Sequence, residues 1–402
     1  MKRRWFGAML RQVLSLVLGL AFNAATAQAG ENVILRFDQT RGANPSSALV
    51  EDAAGNLYGT TTLGGAANCG IVFELSPGPD GKWTETVLFS FPSCTFPPGL
   101  AVGGTLVFDK QGNLYVVATN SDCCQIPGGF VLRLSKGADG TWSGAVIYRF
   151  TADDGYPYSD LTTDSAGNLY GTTYLSSSTS NGKVFKLSPQ PGGKWQETIL
   201  FAFSSANGIG SPTTGVTFDR SGNLYGPTYS AVYELSPQAN GPWTLSVLYT
   251  FTGDQAQPNS PLVFDSRGSL YGTATQPDPG LVFKLSPQSG GPWKEKVIHF
   301  FANGSDGEFP AGNLVLDSSG NVYGTAMWGG LGCNRFYCGV AYELSPQSGG
   351  PWKETILHPF ESAEDGSQPG AGLLLDASGN LFGTTYHGGG RYGYGTVFEI
   401  TP

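Results

Sequence analysis

The sequence predicts an all-β chain, folded as a seven-bladed β-propeller of four-stranded antiparallel blades. Three observations carry that expectation. The phrase Gly-Asn-Leu-Tyr-Gly-Thr-Thr, or a near copy, begins at Gly55, Gly112, Gly167, Gly222, Gly268, Gly320 and Gly379, and repetition at that spacing marks an array of similar structural units. Each unit holds short runs of alternating apolar and polar residues between Gly, Pro, Asn and Ser clusters, the pattern of strands in hairpins. The seventh unit stops at Pro402 before its fourth strand, while Asn32-Val-Ile-Leu-Arg-Phe37 matches Thr86-Val-Leu-Phe-Ser-Phe91 of the first. One chain end that completes the last sheet from the other end closes a ring, and a ring leaves only short protected edges.

The elements follow in chain order. Lys2, Arg3, Arg4 and Arg11 precede a short apolar stretch at 13–22 and small residues at Ala25-Thr26-Ala27. This is the form of an export signal over residues 1–27, too short to span a bilayer. Residues 28–402 are then expected to form the single propeller domain, secreted or periplasmic. Within a unit, strand A is short and apolar, as in Asn313-Leu-Val-Leu-Asp317, and strand B is the repeated phrase itself. Strand C recurs as Val72-Phe-Glu-Leu75, Val184-Phe-Lys-Leu187 and Ala341-Tyr-Glu-Leu344, and strand D opens at Trp83, Trp142, Trp195, Trp243, Trp293 and Trp352. Six of eight tryptophans at one repeat position indicate packing over the C–D turn. Asp52, Asp109, Asp164, Asp219, Asp265, Asp317 and Asp376 head Asp-x-x-Gly turns between A and B. Asp bonds its own backbone in such a turn and Gly takes the positive φ, so the turn accounts for these residues without a calcium ion.

The combined pattern resembles the GloVer (Gloeo/Verruco) tandem repeat of exported bacterial proteins. Here it reads Gly-Thr-Val-Phe-Glu at 395–399, Trp-Lys-Glu-Thr-Ile-Leu at 352–357, Asp-Gly-x-x-Pro at 365–369 and Gly-Asn-Leu-Phe-Gly-Thr-Thr at 379–385. The Asp-x-x-Gly-Asn-Leu-Tyr unit is also similar, more weakly, to NHL-type propellers. Many relatives carry a C-terminal sorting segment. The present chain ends at Thr401-Pro402, so the resemblance favours a soluble exported form. It supplies no catalytic residues.

Composition bounds the function. A net charge of −9 with 22 basic and 31 acidic residues opposes binding to nucleic acid or anionic lipid, because phosphate would be repelled. In an oxidising compartment the six cysteines are expected in disulfides. Cys333 and Cys338 flank one loop and are the expected pair, while the pairing of Cys69, Cys94, Cys123 and Cys124 stays open.

Strand alternation places the B–C and D–A connections on one rim and the near-identical A–B and C–D turns on the other. The variable rim is therefore the expected binding face. The loop at 327–339 offers Trp328, Arg335, Phe336 and Tyr337, and the loop at 386–395 offers His387, Arg391, Tyr392 and Tyr394. Aromatic and Arg side chains are favoured anchors for proteins and sugars. His299 and His358 stand where other units carry Phe89, Tyr148, Phe201 and Tyr249, so they read as packing rings. The function expected is a non-catalytic binding module for an extracellular protein or polysaccharide, monomeric, with no membrane span, cofactor or metal. The competing expectation is an extracellular carbohydrate lyase or hydrolase using His387 with rim carboxylates such as Asp153, Asp154, Asp306, Glu308, Glu361, Glu364 and Asp365.

Overall fold

The structure, a computed structural model, describes residues 30–92, 100–102, 104–120, 128–151, 154–157, 160–174, 181–239, 242–252, 257–289, 291–302, 304–310, 312–330, 338–361 and 364–402. The export signal expected at 1–27 lies outside the described residues. Seven antiparallel sheets succeed one another along the chain, and among the described residues there is no α-helix.

Blade 6 shows how the repeat folds. Strand A is Val315–Leu316, B is Val322–Trp328, C is Gly339–Ser345 and D is Lys353–Phe360. B pairs with C through Tyr323↔Glu343, and C with D through Leu344↔Glu354. The turn between A and B is built as its sequence demands. In blade 1 the Asp52 carboxylate accepts from Ala54 N (2.8 Å), Asn56 N (3.0 Å), Asn56 Nδ2 (2.9 Å) and Tyr58 Oη (2.9 Å). Burial opposes the ionised Asp52. The bonds from Asn56 and Tyr58 outweigh it and hold its pKa below the usual carboxylate range.

Strand A is shorter than its sequence suggests. It reduces to two ladder residues in each blade, and in blades 1, 2, 3 and 6 a second short piece, such as Glu308–Pro310, pairs with the far end of strand B. The Asp-Gly-x-x-Pro segment makes this extra piece in blade 6. Asn44, Phe309 and Gln368, each just before a proline, take φ between 56° and 58°, a left-handed conformation that interrupts the run into strand A.

Ring closure is as the termini predict. Gly30–Arg36 forms strand D of blade 7 and pairs with Thr396–Thr401, with Gly30↔Thr401, Val33↔Phe398 and Arg36↔Thr396.

The hydrophobic core is not one mass. Among the described residues it forms seven clusters, each shared by two neighbouring blades, as where Ile298 and Phe301 of blade 5 meet Val322 and Tyr342 of blade 6. The strand-D tryptophans belong to these seams. Trp352 meets Tyr271 of blade 5, Trp195 meets Tyr115 of blade 2 and Trp83 meets Phe382 of blade 7, each edge-to-face at 5.8 to 6.3 Å. The tryptophan thus joins its blade to the preceding one, a role beyond covering its own C–D turn.

Candidate functional site: an aromatic cleft on the variable rim

On the turn rim the Asp side chains are engaged by the turns' own hydrogen bonds, whereas the rim of B–C and D–A connections varies from blade to blade. There a cleft of about 420 Å³ runs across blades 3, 4 and 5. Tyr174 ends strand B of blade 3 and Tyr229 sits in the short B–C connection of blade 4. Their rings meet edge-on at 6.0 Å and their hydroxyls lie 3.3 Å apart. That hydrogen bond, followed by burial, raises the Tyr174 pKa to about 12. Tyr229 remains 45% exposed.

The floor of the cleft includes Pro212, Thr213 and Pro258, with Gln257 and Asn259 beside them. Asn259 is held in place, donating to Pro310 O at 3.2 Å and accepting from Thr273 Oγ1 at 3.1 Å. Thr213 Oγ1 is buried and has no hydrogen-bond partner among the described residues. Thr213 and Asn259 also border the central channel, which is lined by Ser46, Ser47, Asp160 and Asn313. Burial pushes the Asp160 carboxyl up, against the hydrogen bond it accepts from Thr105 N at 2.6 Å. The cleft therefore leads from paired rings at the rim to polar groups at the axis.

Of the residues expected from sequence, those described lie elsewhere on this rim and do not form one cluster. Trp328 stacks on Phe309 of its own blade at 4.7 Å. Cys333, Arg335 and Tyr337 lie outside the described residues; Cys338 is buried. His387 Nδ1 is 3.2 Å from Asn44 Nδ2, and its ring meets Tyr386. Tyr392 and Tyr394 stack at 5.9 Å with Arg391 above Tyr392, and Tyr394 Oη donates to Gln39 Oε1 at 2.8 Å. Tyr392, at 65% exposure, is the most open large apolar side chain described. The sequence signal for the cleft was the shortness of blade 4's B–C connection, which sets Tyr229 directly on the strand end. It is a weak signal, because the partner ring comes from another blade.

The rim carboxylates of the competing expectation are engaged structurally. Asp154 is 2.7 Å from Lys183 Nζ, Asp365 2.9 Å from His358 Nε2, and Asp306 accepts from Ala302 N at 2.9 Å. Asp153 lies outside the described residues.

Comparison with known proteins agrees with this architecture. Residues 227–402 match the Gloeobacter/Verrucomicrobia repeat. That part of the chain is similar to this repeat family. No curated protein matches the chain. Among solved structures, the repeat protein is similar to virginiamycin B lyase from Staphylococcus aureus at 11% identity, covering 93% of this chain and 99% of that one, with a TM-score of 0.56. It is similar to a protein from Lactobacillus plantarum at 13% identity, covering 79% and 84%, with a TM-score of 0.51. A gluconolactonase from Xanthomonas campestris matches at 14% identity over 93% and 90%, with a TM-score of 0.41. At such identities the likeness is one of fold, and fold does not transfer activity.

Proposed function

We propose that this repeat protein is an exported, monomeric binding module that holds a polysaccharide in the Tyr174–Tyr229 cleft without transforming it. The observation that carries this reading is the pairing of two partly open tyrosine rings with a buried, unpartnered Thr213 hydroxyl. A sugar offers the complement of that surface: an apolar C–H face for the rings and hydroxyls for the buried polar group. The stack on blade 7 suits this less well, since Tyr392 and Tyr394 already cover one another and Arg391 covers Tyr392.

Export is supported by the basic, apolar and small-residue order of residues 1–27, and it would bring with it the disulfide Cys333–Cys338. The lyase or hydrolase reading loses support from the contacts that hold Asp154 on Lys183 and Asp365 on His358.

A glycan array probed with the full folded protein tests the proposal. Binding to one polysaccharide class is expected, and Tyr229→Ala should weaken it by about tenfold or more, near 1.4 kcal/mol. Tyr392→Ala should leave it unchanged. Retention of protein ligands but no glycan, retention indifferent to Tyr229, or release of sugar products would each overturn it.

A further inference from the structure

Where two blades meet, four seams place two carboxylates side by side, one from the D–A connection and one from the next blade's strand D. Two seams supply a permanent cation to this pair, and a third a histidine hydrogen-bonded to one carboxylate. At the seam of blades 2 and 3, Lys183 Nζ lies 2.7 Å from Asp154 Oδ1 and 3.6 Å from Glu197 Oε1. Where blade 7 meets blade 1, the Arg41 guanidinium lies 3.6 Å from Asp38 and 3.4 Å from Glu85. Between blades 6 and 7, His358 Nε2 lies 2.9 Å from Asp365 Oδ2, within hydrogen-bond distance.

The seam of blades 5 and 6 is different. Val340 stands in the strand-C place of Lys183, so no ammonium reaches the pair from that position. His299 Nε2 lies 3.3 Å from Glu354 Oε1 and 3.8 Å from Asp306 Oδ2. Both His299 Nε2 and Glu354 Oε1 are buried, and neither makes a hydrogen bond among the described residues. These two buried polar atoms thus face each other without a hydrogen bond, an arrangement that a cation between them would relieve.

We propose that His299, Asp306 and Glu354 bind a divalent transition metal such as zinc at this seam, with an open coordination position. The ligand atoms lie within 4.8 Å of one another. Tetrahedral zinc with bonds of about 2.0–2.1 Å separates its ligands by about 3.3 Å, and the His299–Glu354 distance is 3.3 Å. One imidazole and two carboxylates form a mixed N/O set that suits zinc better than calcium, which takes six to eight oxygens. The metal replaces the Lys183 ammonium of the sister seam and ties blade 5 to blade 6. This site is independent of the sugar cleft, which lies across blades 3 to 5.

The test uses the full chain without an affinity tag, stripped by chelator and titrated with Zn²⁺ by calorimetry at about pH 7.5, where a histidine of ordinary pKa is neutral. One equivalent is expected to bind and to raise the melting temperature. His299→Tyr, which installs the ring found at Tyr148 and Tyr249, should fold, lose at least about tenfold in affinity and show no zinc-dependent rise. Glu354→Gln should weaken binding similarly. His358→Tyr and His387→Ala should retain the full affinity and the rise. Absence of stoichiometric binding to the parent protein, or binding that survives His299→Tyr, overturns the proposal.

Discussion

Glu354 shows most directly how one side chain couples the fold to its conditions. Burial and the neighbouring Asp306 charge raise its pKa to about 7. A carboxyl that is easier to protonate folded than unfolded stabilises fully below its ordinary value of 4.5, and that contribution is lost as pH rises through about 7. His299 acts in the opposite sense, since burial lowers its pKa and protonation below its ordinary 6.5 disfavours the fold. The informative comparison is therefore Glu354→Gln against the parent protein at each pH, with chelator present. The variant should melt higher than the parent at about pH 8, and the gap should close by about pH 5; equal gaps at both values would refute the assignment. None of this was legible from Glu354 in the chain, where it is one of several strand-D glutamates. Its shift depends on burial at the seam and on Asp306, which comes from the connection leaving another blade.

At the scale of the strand pair, the repeat contains a volume rule. The second Gly of the repeated phrase lies opposite the ring of strand C, with Gly59↔Phe73, Gly272↔Phe283 and Gly324↔Tyr342. A Cβ at Gly59 would stand 2.6 Å from the Phe73 ring, and one at Gly272 2.7 Å from Phe283. Blade 2 reverses the pair: Val116 replaces the Gly and Leu132 replaces the ring, and they face each other in register. The apolar bulk is shared between the two strands instead of standing on strand C alone. Gly272→Ala is expected to cost about 1–3 kcal/mol by overpacking. In blade 2, Leu132→Phe should be costly alone and should recover much of that loss when combined with Val116→Gly. Chemical denaturation of the two single variants and the double variant checks this, and simple additivity would refute it.

The same strands carry a feature that periodicity does not reveal. Register shifts at Val72/Phe73, Val184/Phe185, Val282/Phe283 and Ala341/Tyr342 place one extra strand-D residue in each of these blades. Leu88, Leu200, Ile298 and Leu357 are the extra residues, and all are buried. The bulge bends strand D and re-aims the residue that follows. That residue is Phe89, Phe201, His299 or His358, directed at the next blade. The sequence pattern identifies these as ring positions, and the bulge makes two of them ionisable seam groups.

For the molecule as a whole, closure by Gly30–Arg36 is the joint on which the circle depends. Removing residues 30–36 would expose the edge of Thr396–Thr401 and remove Glu31 from the seam with His358. An unpaired edge invites intermolecular pairing. The truncated chain is expected to melt well below the parent and to self-associate, whereas loss of a similar length elsewhere on an exposed loop should do neither. Light scattering and thermal denaturation read the two effects, and a monomeric, equally stable truncation would contradict the closure argument.

Blade number, strand order, turn chemistry and the closing strand were legible from the chain because each rests on local residues repeated from unit to unit, or on two termini that match. Those signals need no knowledge of which blades touch. The Tyr174–Tyr229 cleft and the His299, Asp306 and Glu354 seam were decided only by tertiary structure, since each draws its groups from different blades. The physical reason is that a propeller buries its residues between blades, so a side chain's charge and partners are set by a neighbour roughly one repeat away, across a junction no local pattern describes.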